Sequence, residues 1–254
     1  MSKLKKTAFL VRCYRVFRLA LLIISGALVA LTVFRICGDR RRLALKQTWS
    51  AAVLDALGIQ IEADVLQAVP GALLIANHIS WLDIFLINAV LPAAFVSKEE
   101  VRRWPVIGWL AAKNDTVFLR RGSRGHARVI NAEIAAILGQ GKFVAVFPEG
   151  TTTDGFRVQH FHGALLQPAL AAGHPVVPLA LSYWNEDGQR SLVPRYDGDI
   201  SLGQCTKAIL ACKKLRAKVS ALPPLGLQGE DRRQVALVGR AAIAEAVGLP
   251  PPSN

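Results

Sequence analysis

The stretch ALLIANHISWLDIFLI, residues 72–87, decides the fold of this chain. Its first five residues are an apolar run of strand length, and its last four begin a second apolar run that favours a buried helix. His78 and Asp83 lie between the two runs, where a strand ends and a helix begins. Open α/β sheets place their reactive groups at the carboxyl ends of their parallel strands, which together form the carboxyl edge of the sheet. The stretch therefore predicts both an α/β fold and the position of its functional site.

His78 and Asp83 are five positions apart, so on one straight helix their side chains would point in different directions. They can meet only if the backbone turns between them. Asp83 would then accept a hydrogen bond from one ring nitrogen of His78 and leave the other nitrogen free to take a proton. A plainer interpretation of the same residues is a helix capping box formed by Ser80 and Asp83, with His78 as an ordinary loop histidine.

Apolar runs of strand length alternate with helical periodicity after residue 58. This pattern predicts an α/β fold in which helices flank a central, mostly parallel sheet. Strands are predicted at residues 59–65, 72–76, 93–97, 116–119, 142–147, 175–181 and 216–222. Helices are predicted from residue 84 and at residues 98–111, 124–138, 161–172, 202–215 and 231–247. Because no linker interrupts this part, residues 58–254 are predicted to form one domain.

The positive charge of the chain is concentrated at its N-terminus. Of the net charge of +13, residues 1–46 contribute eleven Lys or Arg against a single acid. Because the excess is not spread across the fold, it favours an anionic membrane surface as the partner and argues against nucleic acid. The four cysteines show neither metal-site nor disulfide spacing, which favours a reducing, cytoplasmic location.

A nearly uninterrupted apolar run extends from Leu19 to Phe34. Sixteen residues at ~1.5 Å each reach roughly 24 Å, against a hydrocarbon core of ~30 Å. Because basic residues flank the run on both sides, the positive-inside rule gives no direction for a crossing. An interfacial or re-entrant anchor is therefore predicted, with a single tilted span as the alternative. With the helical pattern at residues 42–57, residues 1–57 are predicted to be a basic, two-helix membrane anchor on the cytoplasmic face of the inner membrane.

Residues 77–83 resemble the N-H-x-S-x-x-D signature of the glycerolipid acyltransferases, the lysophosphatidate acyltransferase superfamily. Three later segments resemble further blocks of that family, in the same order along the chain. They are FLRRG at residues 118–122, FPEGT at residues 147–151 and VPLA at residues 177–180. The first and third blocks are specific, and the resemblance spans residues 77–180.

The resemblance implies roles for particular residues. His78 would act as general base and Asp83 would orient it, beside Asn77 and Ser80 of the same block. The second block would supply Arg120 and Arg121 for the phosphate of the acceptor, with Arg121 at the matching position; two arginines at a strand end can clamp a phosphate, although they could also be a solvated loop. The third block would bind the acceptor through Glu149, Gly150 and Thr151. A carboxylate on a Pro/Gly turn is predicted to be rigid and exposed, able to accept hydrogen bonds from polyol hydroxyls.

The implied reaction is acyl transfer from an acyl thioester, on coenzyme A or acyl carrier protein, to the hydroxyl of a lyso-lipid. The principal acceptor would be 1-acylglycerol-3-phosphate, and the product phosphatidate. The reaction would need no cofactor, metal or protein nucleophile, and backbone N–H groups near the loop would stabilise the oxyanion.

One departure from the family pattern keeps other acceptors open. Many members that act on lysophosphatidate continue with Arg and Ser after the third block, whereas this chain has Thr152 and Thr153. Because a cationic phosphate contact is missing there, a lyso-ornithine lipid or another lyso-lipid is the alternative acceptor. A second alternative is a non-catalytic lipid-binding protein of the same fold, against which the intact pair of His78 and Asp83 argues.

Overall fold

The computed structural model describes residues 7–104, 107–119, 124–225 and 230–251. Seven strands in the described ranges form a sheet of order β1-β7-β6-β2-β5-β3-β4. The strands are β1 (Ile59–Asp64), β2 (Leu73–Ala76), β3 (Ala93–Lys98), β4 (Val117–Leu119), β5 (Phe143–Val146), β6 (Val176–Asn185) and β7 (Leu215–Ala221). The α-helices are α1 (Phe9–Leu31), α2 (Asp39–Ala56), α3 (Leu82–Val90), α4 (Ile107–Lys113), α5 (Arg124–Gly139), α6 (Gln167–Ala171), α7 (Leu202–Ala211) and α8 (Arg232–Ala246).

The sheet is mostly parallel, as the sequence predicted. Five of its six neighbouring strand pairs are parallel, and β6 with β7 is the antiparallel pair. Strand β2 lies between β5 and β6, and its carboxyl end leads into the loop that carries His78. The predicted α/β fold is therefore confirmed, and the loop leaves the sheet at the edge where the sequence placed it.

Strand β2 is apolar at every position because both of its faces are covered. Leu74 and Ala76 belong to the buried cluster that includes residues of α2, α3 and α7, whereas Leu73 and Ile75 belong to the cluster with residues of α5 and α8. Strands buried on both faces lack the alternation of apolar and polar residues seen in half-exposed ones. The sheet therefore fixes β2 rigidly beneath the loop that follows it.

Three of the predicted helices were wrong in extent. The helix predicted over residues 202–215 ends at Ala211, and Leu215 already begins β7. In place of one helix over residues 98–111, β3 continues to Lys98, a 3₁₀ turn follows at Glu99–Arg103, and α4 begins at Ile107. Trp104 has φ −70° and ψ 128°, because the residue before a proline, here Pro105, is disfavoured in the helical region. The helix predicted over residues 161–172 is a 3₁₀ turn at Gly163–Leu165 and the five-residue α6.

Helix α1 begins ten residues before the apolar run that predicted it. Its 23 residues reach roughly 34 Å at ~1.5 Å per residue, so the predicted length of sixteen residues was too short. By length and composition alone, Phe9–Arg35 could cross a membrane, with a mean hydropathy of 2.4 and 6% of the apolar window buried.

One face of α1 is tied to the rest of the protein. Arg15 is buried and donates to the carbonyls of Leu210, Cys212 and Lys213 at the end of α7. The Arg18 guanidinium lies 2.8 Å from Asp55 of α2. The opposite face exposes large apolar side chains: Leu10, Tyr14, Phe17, Leu21, Ile24, Leu28 and Leu31. Arg15 and Arg18 are therefore bound by the protein and do not form a free cationic flank.

Helix α2 contributes Val53 and Leu54 to the buried cluster on one face of the sheet, and it packs against α3. The division of the chain into an anchor of residues 1–57 and a domain of residues 58–254 stays a prediction.

Candidate active site

His78 and Asp83 meet across the loop between β2 and α3. The imidazole Nδ1 lies 2.8 Å from Asp83 Oδ2. The Asp83 side chain is fully buried in the first turn of α3, whereas the His78 side chain is 18% exposed. With Nδ1 facing the carboxylate, Nε2 is the ring nitrogen left for a substrate. The arrangement can orient a histidine for proton transfer.

Asp83 is a buried carboxylate whose two oxygens accept four hydrogen bonds. Besides the His78 contact, Oδ2 accepts the backbone N–H groups of Ile79, at 2.7 Å, and Ser80, at 2.9 Å. Oδ1 accepts the hydroxyl of Tyr183 at 2.6 Å. A buried charge needs such partners because it has lost its water. Asp83 thus fixes the loop backbone as well as the His78 ring.

The capping-box alternative is only half present. The Asp83 carboxylate accepts the N–H of Ser80, but α3 begins after Trp81 and no side chain caps its N-terminus. The carboxylate reaches His78 instead of serving the helix end alone.

The segment that follows β5 holds the main chain and ring of His78. The N–H of His78 donates to Glu149 Oε1 at 2.7 Å. The carbonyl of His78 accepts the N–H of Thr153 at 2.8 Å and the Thr153 hydroxyl at 3.2 Å. The ring of Phe147 stacks on the imidazole, with centroids 3.9 Å apart and planes 12° apart. Both the backbone and the ring of His78 are therefore restrained.

The expectation that Glu149 is exposed was wrong. Its side chain is 4% exposed, and Oε2 accepts the N–H of Gln159 at 2.8 Å while Oε1 holds His78. Burial raises the pKa of Glu149 to about 7, although the hydrogen bonds from Gln159 and His78 lower it. The carboxylate points inward because two loop N–H groups need an acceptor there.

Asn77 and Ser80 also point into the protein. The Asn77 amide donates to the carbonyl of Leu181 at 3.0 Å and accepts its N–H at 2.8 Å. Since β2 ends at Ala76, this side chain continues the pairing of β2 with β6 by one more rung. Ser80 is fully buried, so neither side chain is presented to a substrate.

The remaining predicted binding residues divide into two groups. Gly150, with φ +69°, adopts the left-handed conformation that suits glycine in a turn, and Thr151 beside it is exposed. Arg120 and Arg121 lie outside the described residues, so their predicted phosphate contact stays a prediction.

Two polar residues of the site were missed by sequence reasoning. The Tyr183 hydroxyl, on strand β6, donates a hydrogen bond to Asp83, and the Thr153 hydroxyl donates one to the carbonyl of His78. A tyrosine that follows the apolar run of β6 was the available signal for the first, because a buried phenol normally needs a partner. Thr152, the departure from the family pattern, donates its hydroxyl to the carbonyl of Tyr196.

The backbone donors nearest to His78 are already occupied. The N–H groups of His78, Ile79 and Ser80 all donate to carboxylates, so the expectation of an oxyanion site near the loop does not apply to these three. Within the described ranges, no group of three or more His, Cys, Asp or Glu side chains could hold a metal ion.

The fold and this site define an α/β protein with a restrained, partly exposed histidine beside a buried carboxylate at the carboxyl edge of its sheet. The family model described as "Acyltransferase" matches residues 59–182. The lyso-ornithine lipid O-acyltransferase of Pseudomonas aeruginosa is 38% identical over 206 residues, which cover 81% of this chain and 79% of that protein. The 1-acyl-sn-glycerol-3-phosphate acyltransferase of Neisseria meningitidis is 35% identical over 216 residues, 84% of each chain.

A solved structure supports the fold. The crystal structure of the 1-acyl-sn-glycerophosphate acyltransferase PlsC of Thermotoga maritima superposes with a TM-score of 0.67 at 24% identity, covering 94% of this chain and 95% of that chain. The chain belongs to the acyltransferase family. The resemblance found in the sequence is thereby confirmed, and the protein is an enzyme that transfers acyl groups.

Proposed function

We propose that this acyltransferase moves an acyl group from an acyl thioester to the free hydroxyl of a lyso-lipid. The principal acceptor is 1-acylglycerol-3-phosphate, and the product is phosphatidate. The observation that carries the proposal is the 2.8 Å contact between His78 Nδ1 and the buried Asp83, which leaves Nε2 for the acceptor hydroxyl.

In the proposed reaction, Nε2 of His78 takes the proton of the acceptor hydroxyl while that oxygen attacks the thioester carbonyl carbon. The C–S bond then breaks, and the departing thiolate takes the proton back from the imidazolium. Asp83 stabilises the imidazolium between the two steps. No covalent acyl-enzyme forms. Coenzyme A and acyl carrier protein are the two donors that the sequence predicts.

Glu149 has a different role in this proposal from the one the sequence implied. Because its two oxygens hold the N–H groups of His78 and Gln159, it positions the His78 main chain and does not contact the acceptor. Thr151, which is exposed, and Arg121 remain the proposed contacts for the acceptor head group.

A lyso-ornithine lipid is the second candidate acceptor, and Thr152 favours it. The Thr152 hydroxyl donates to a main-chain carbonyl, so this position supplies no cation for a phosphate. An ornithine head group carries an amine and a carboxylate instead of a phosphate. A relative with that activity in its name is 38% identical to this chain.

We also propose that α1 holds the enzyme on the cytoplasmic face of the inner membrane. Its apolar outer face carries no charged side chain, since Arg12 donates to the carbonyl of Thr7, and Arg15 and Arg18 contact α7 and α2. The contacts of α1 with α7 through Arg15 and with α2 through Arg18 and Leu22 favour the interfacial anchor over a crossing. An active site at the membrane spares lipid chains an exposure to water of ~0.8 kcal/mol per CH₂.

The test is acyl transfer by the purified protein in vesicles. The labelled acyl group is supplied as a thioester of coenzyme A or of acyl carrier protein, and each donor is offered with lysophosphatidate and with lyso-ornithine lipid. His78→Ala should lower kcat/KM about 10³-fold, the scale of general-base catalysis, whereas His174→Ala, before β6 at the opposite edge, should leave it within about twofold. Transfer to lyso-ornithine lipid alone would make that lipid the acceptor in place of lysophosphatidate. Undiminished transfer by His78→Ala would refute the general-base assignment.

A further inference from the structure

Tyr183 is a buried polar residue whose hydroxyl touches the catalytic pair. Its side chain is 1% exposed, and its hydroxyl lies 2.6 Å from Asp83 Oδ1. Burial raises the pKa of Tyr183 well above its usual value, and the charge of Asp83 raises it further. The phenol therefore stays neutral and donates a hydrogen bond to the carboxylate.

We propose that Tyr183 is a positioning residue of the acyl-transfer reaction, which holds the Asp83 carboxylate in the rotation that presents Oδ2 to His78. The inference rests on the proposed function, because it assumes that His78 is the general base. Tyr183 acts through Asp83 and does not touch the substrate.

The distribution of donors around Asp83 explains why the hydroxyl is needed. Oδ2 accepts three hydrogen bonds, from His78, Ile79 and Ser80, whereas Oδ1 accepts the single one from Tyr183. Without that hydroxyl, one oxygen of a fully buried carboxylate would lose its partner, a loss that costs more than the bond itself contributes. The carboxylate could then recover a partner only by rotating, and the rotation would draw Oδ2 away from His78.

The sheet delivers Tyr183 to this position through a second contact. The Asn77 side chain pairs with both backbone groups of Leu181. Leu181 and Tyr183 are two residues apart on β6, so their side chains share one face of the sheet. Asn77 thus fixes the distance between β6 and the loop after β2 at Leu181. This distance places the Tyr183 hydroxyl within hydrogen-bond reach of Asp83.

The surroundings of Tyr183 leave Asp83 as its electrostatic partner. Cys205 lies close by, and burial raises the pKa of its thiol. The thiol is therefore neutral and does not compete with the carboxylate for the phenol proton. The phenol hydrogen bond is directed at Asp83.

The experiment is a double-mutant cycle on the full-length protein, with Tyr183→Phe, Asp83→Asn and the combined variant. Tyr183→Phe should lower kcat about 10- to 100-fold, as expected for a hydrogen bond to a charged group, and leave both KM values within about twofold. In the Asp83→Asn background, Tyr183→Phe should change kcat less than about twofold, because its effect passes through Asp83.

Ser182→Ala is the matched control. Ser182 is the preceding residue of β6, is buried, and its hydroxyl accepts the indole N–H of Trp184 at 2.9 Å. The variant should lower the unfolding midpoint as Tyr183→Phe does, yet keep kcat within about twofold. A kcat loss that matches that of Tyr183→Phe would show a general loss of packing and overturn the positioning role.

Three further results decide the matter. A wild-type kcat for Tyr183→Phe would overturn the proposal, as would additive losses in the cycle. Undiminished activity of His78→Ala would refute the proposed function instead, and the two failures are thereby distinct. If Tyr183→Phe does not fold, Tyr183→4-aminophenylalanine keeps the shape and weakens the donor; it should lower kcat with KM unchanged, and a wild-type kcat would again overturn the proposal.

Discussion

The carboxyl edge and the amino edge of the sheet, formed by the two ends of its parallel strands, both bury charge, but with opposite signs. At the carboxyl edge, Asp83 and Glu149 are buried and accept backbone N–H groups. At the amino edge, Lys46 is 7% exposed and donates to the carbonyl of Ala93, which begins β3, and to that of Asn114. Each edge thus neutralises a buried charge with main-chain groups of complementary polarity.

The edges differ in what the buried charge restrains. At the carboxyl edge the carboxylates hold His78, whose ring remains partly exposed. At the amino edge, Asp39 pairs with Lys142 at 2.6 Å, and the neighbouring cavity of about 10 Å³ has room for no more than a water molecule. A buried charge with a shifted pKa is therefore insufficient to mark an active site; a side chain that is both restrained and accessible is the better indicator.

The largest effect that separates the edges is expected from Asp83→Asn. An amide cannot replace a carboxylate that accepts four hydrogen bonds and fixes the tautomer of His78, so kcat should fall about 10³-fold. Asp115→Asn at the amino edge is the control, because asparagine tolerates the φ of 57° found there. Its kcat should stay within about twofold; equal losses in steady-state acyl transfer would erase the distinction between the edges.

A smaller effect is expected from Glu149→Gln, with a characteristic pH dependence. Because the folded pKa of about 7 lies above the usual 4.5, the folded protein keeps this proton longer than the unfolded chain, and the wild type loses stability as pH rises from 4.5 to 7. Glutamine cannot titrate, so the free energy of unfolding of the wild type relative to the variant should fall by up to about 3 kcal/mol over this range.

Denaturant unfolding at pH 5, 6, 7 and 8 measures this difference for Glu149→Gln. The kcat of the variant should also fall about tenfold, since one of two backbone donors, at His78 or Gln159, loses its acceptor. Stability curves that run parallel across the pH range would contradict the raised pKa of Glu149.

The smallest effect on catalysis is expected from Lys46→Met, which should leave kcat within about twofold. Burial lowers the pKa of Lys46 to about 8 from 10.5, so the folded protein releases this proton first. The wild type should therefore gain up to about 3 kcal/mol of stability over the variant between pH 8 and 10.5. Unfolding midpoints at pH 7.5 and 10 measure the gain, and a kcat loss beyond tenfold would give the amino edge a catalytic role.

The sequence predicted the strands and the meeting of His78 with Asp83 because both follow from local patterns. An apolar run of strand length must be buried, and a strand-to-helix turn is the one path that brings positions 78 and 83 together. The break before α4 could also have been read from Trp104 and Pro105, since that pair disfavours a continuous helix.

The direction of the polar side chains was not predictable in the same way. Asn77 and Glu149 carry groups that suit a substrate, but which way they turn depends on the unpaired backbone groups of loops and strands distant in sequence. Leu181 and Gln159 supply those groups, and no spacing within the motif reports their positions. Arg15 is one of the basic residues before the apolar run of residues 19–34 that the sequence placed at the membrane. The carbonyls at the end of α7 that bind it lie almost 200 residues away, so the sequence pattern contained no sign of them.

The loop after β2 is held by contacts from both strands that neighbour β2, and this has a mechanical consequence. The segment after β5 holds His78 through Phe147 and Glu149, while β6 holds the other side through Leu181 and Tyr183. The separation of Nδ1 and Oδ2 therefore depends on how β5 and β6 are rotated about β2, and so on the local twist of the sheet. A purely apolar substitution that alters this twist can change the rate of the reaction from a distance, with every polar group of the site left in place.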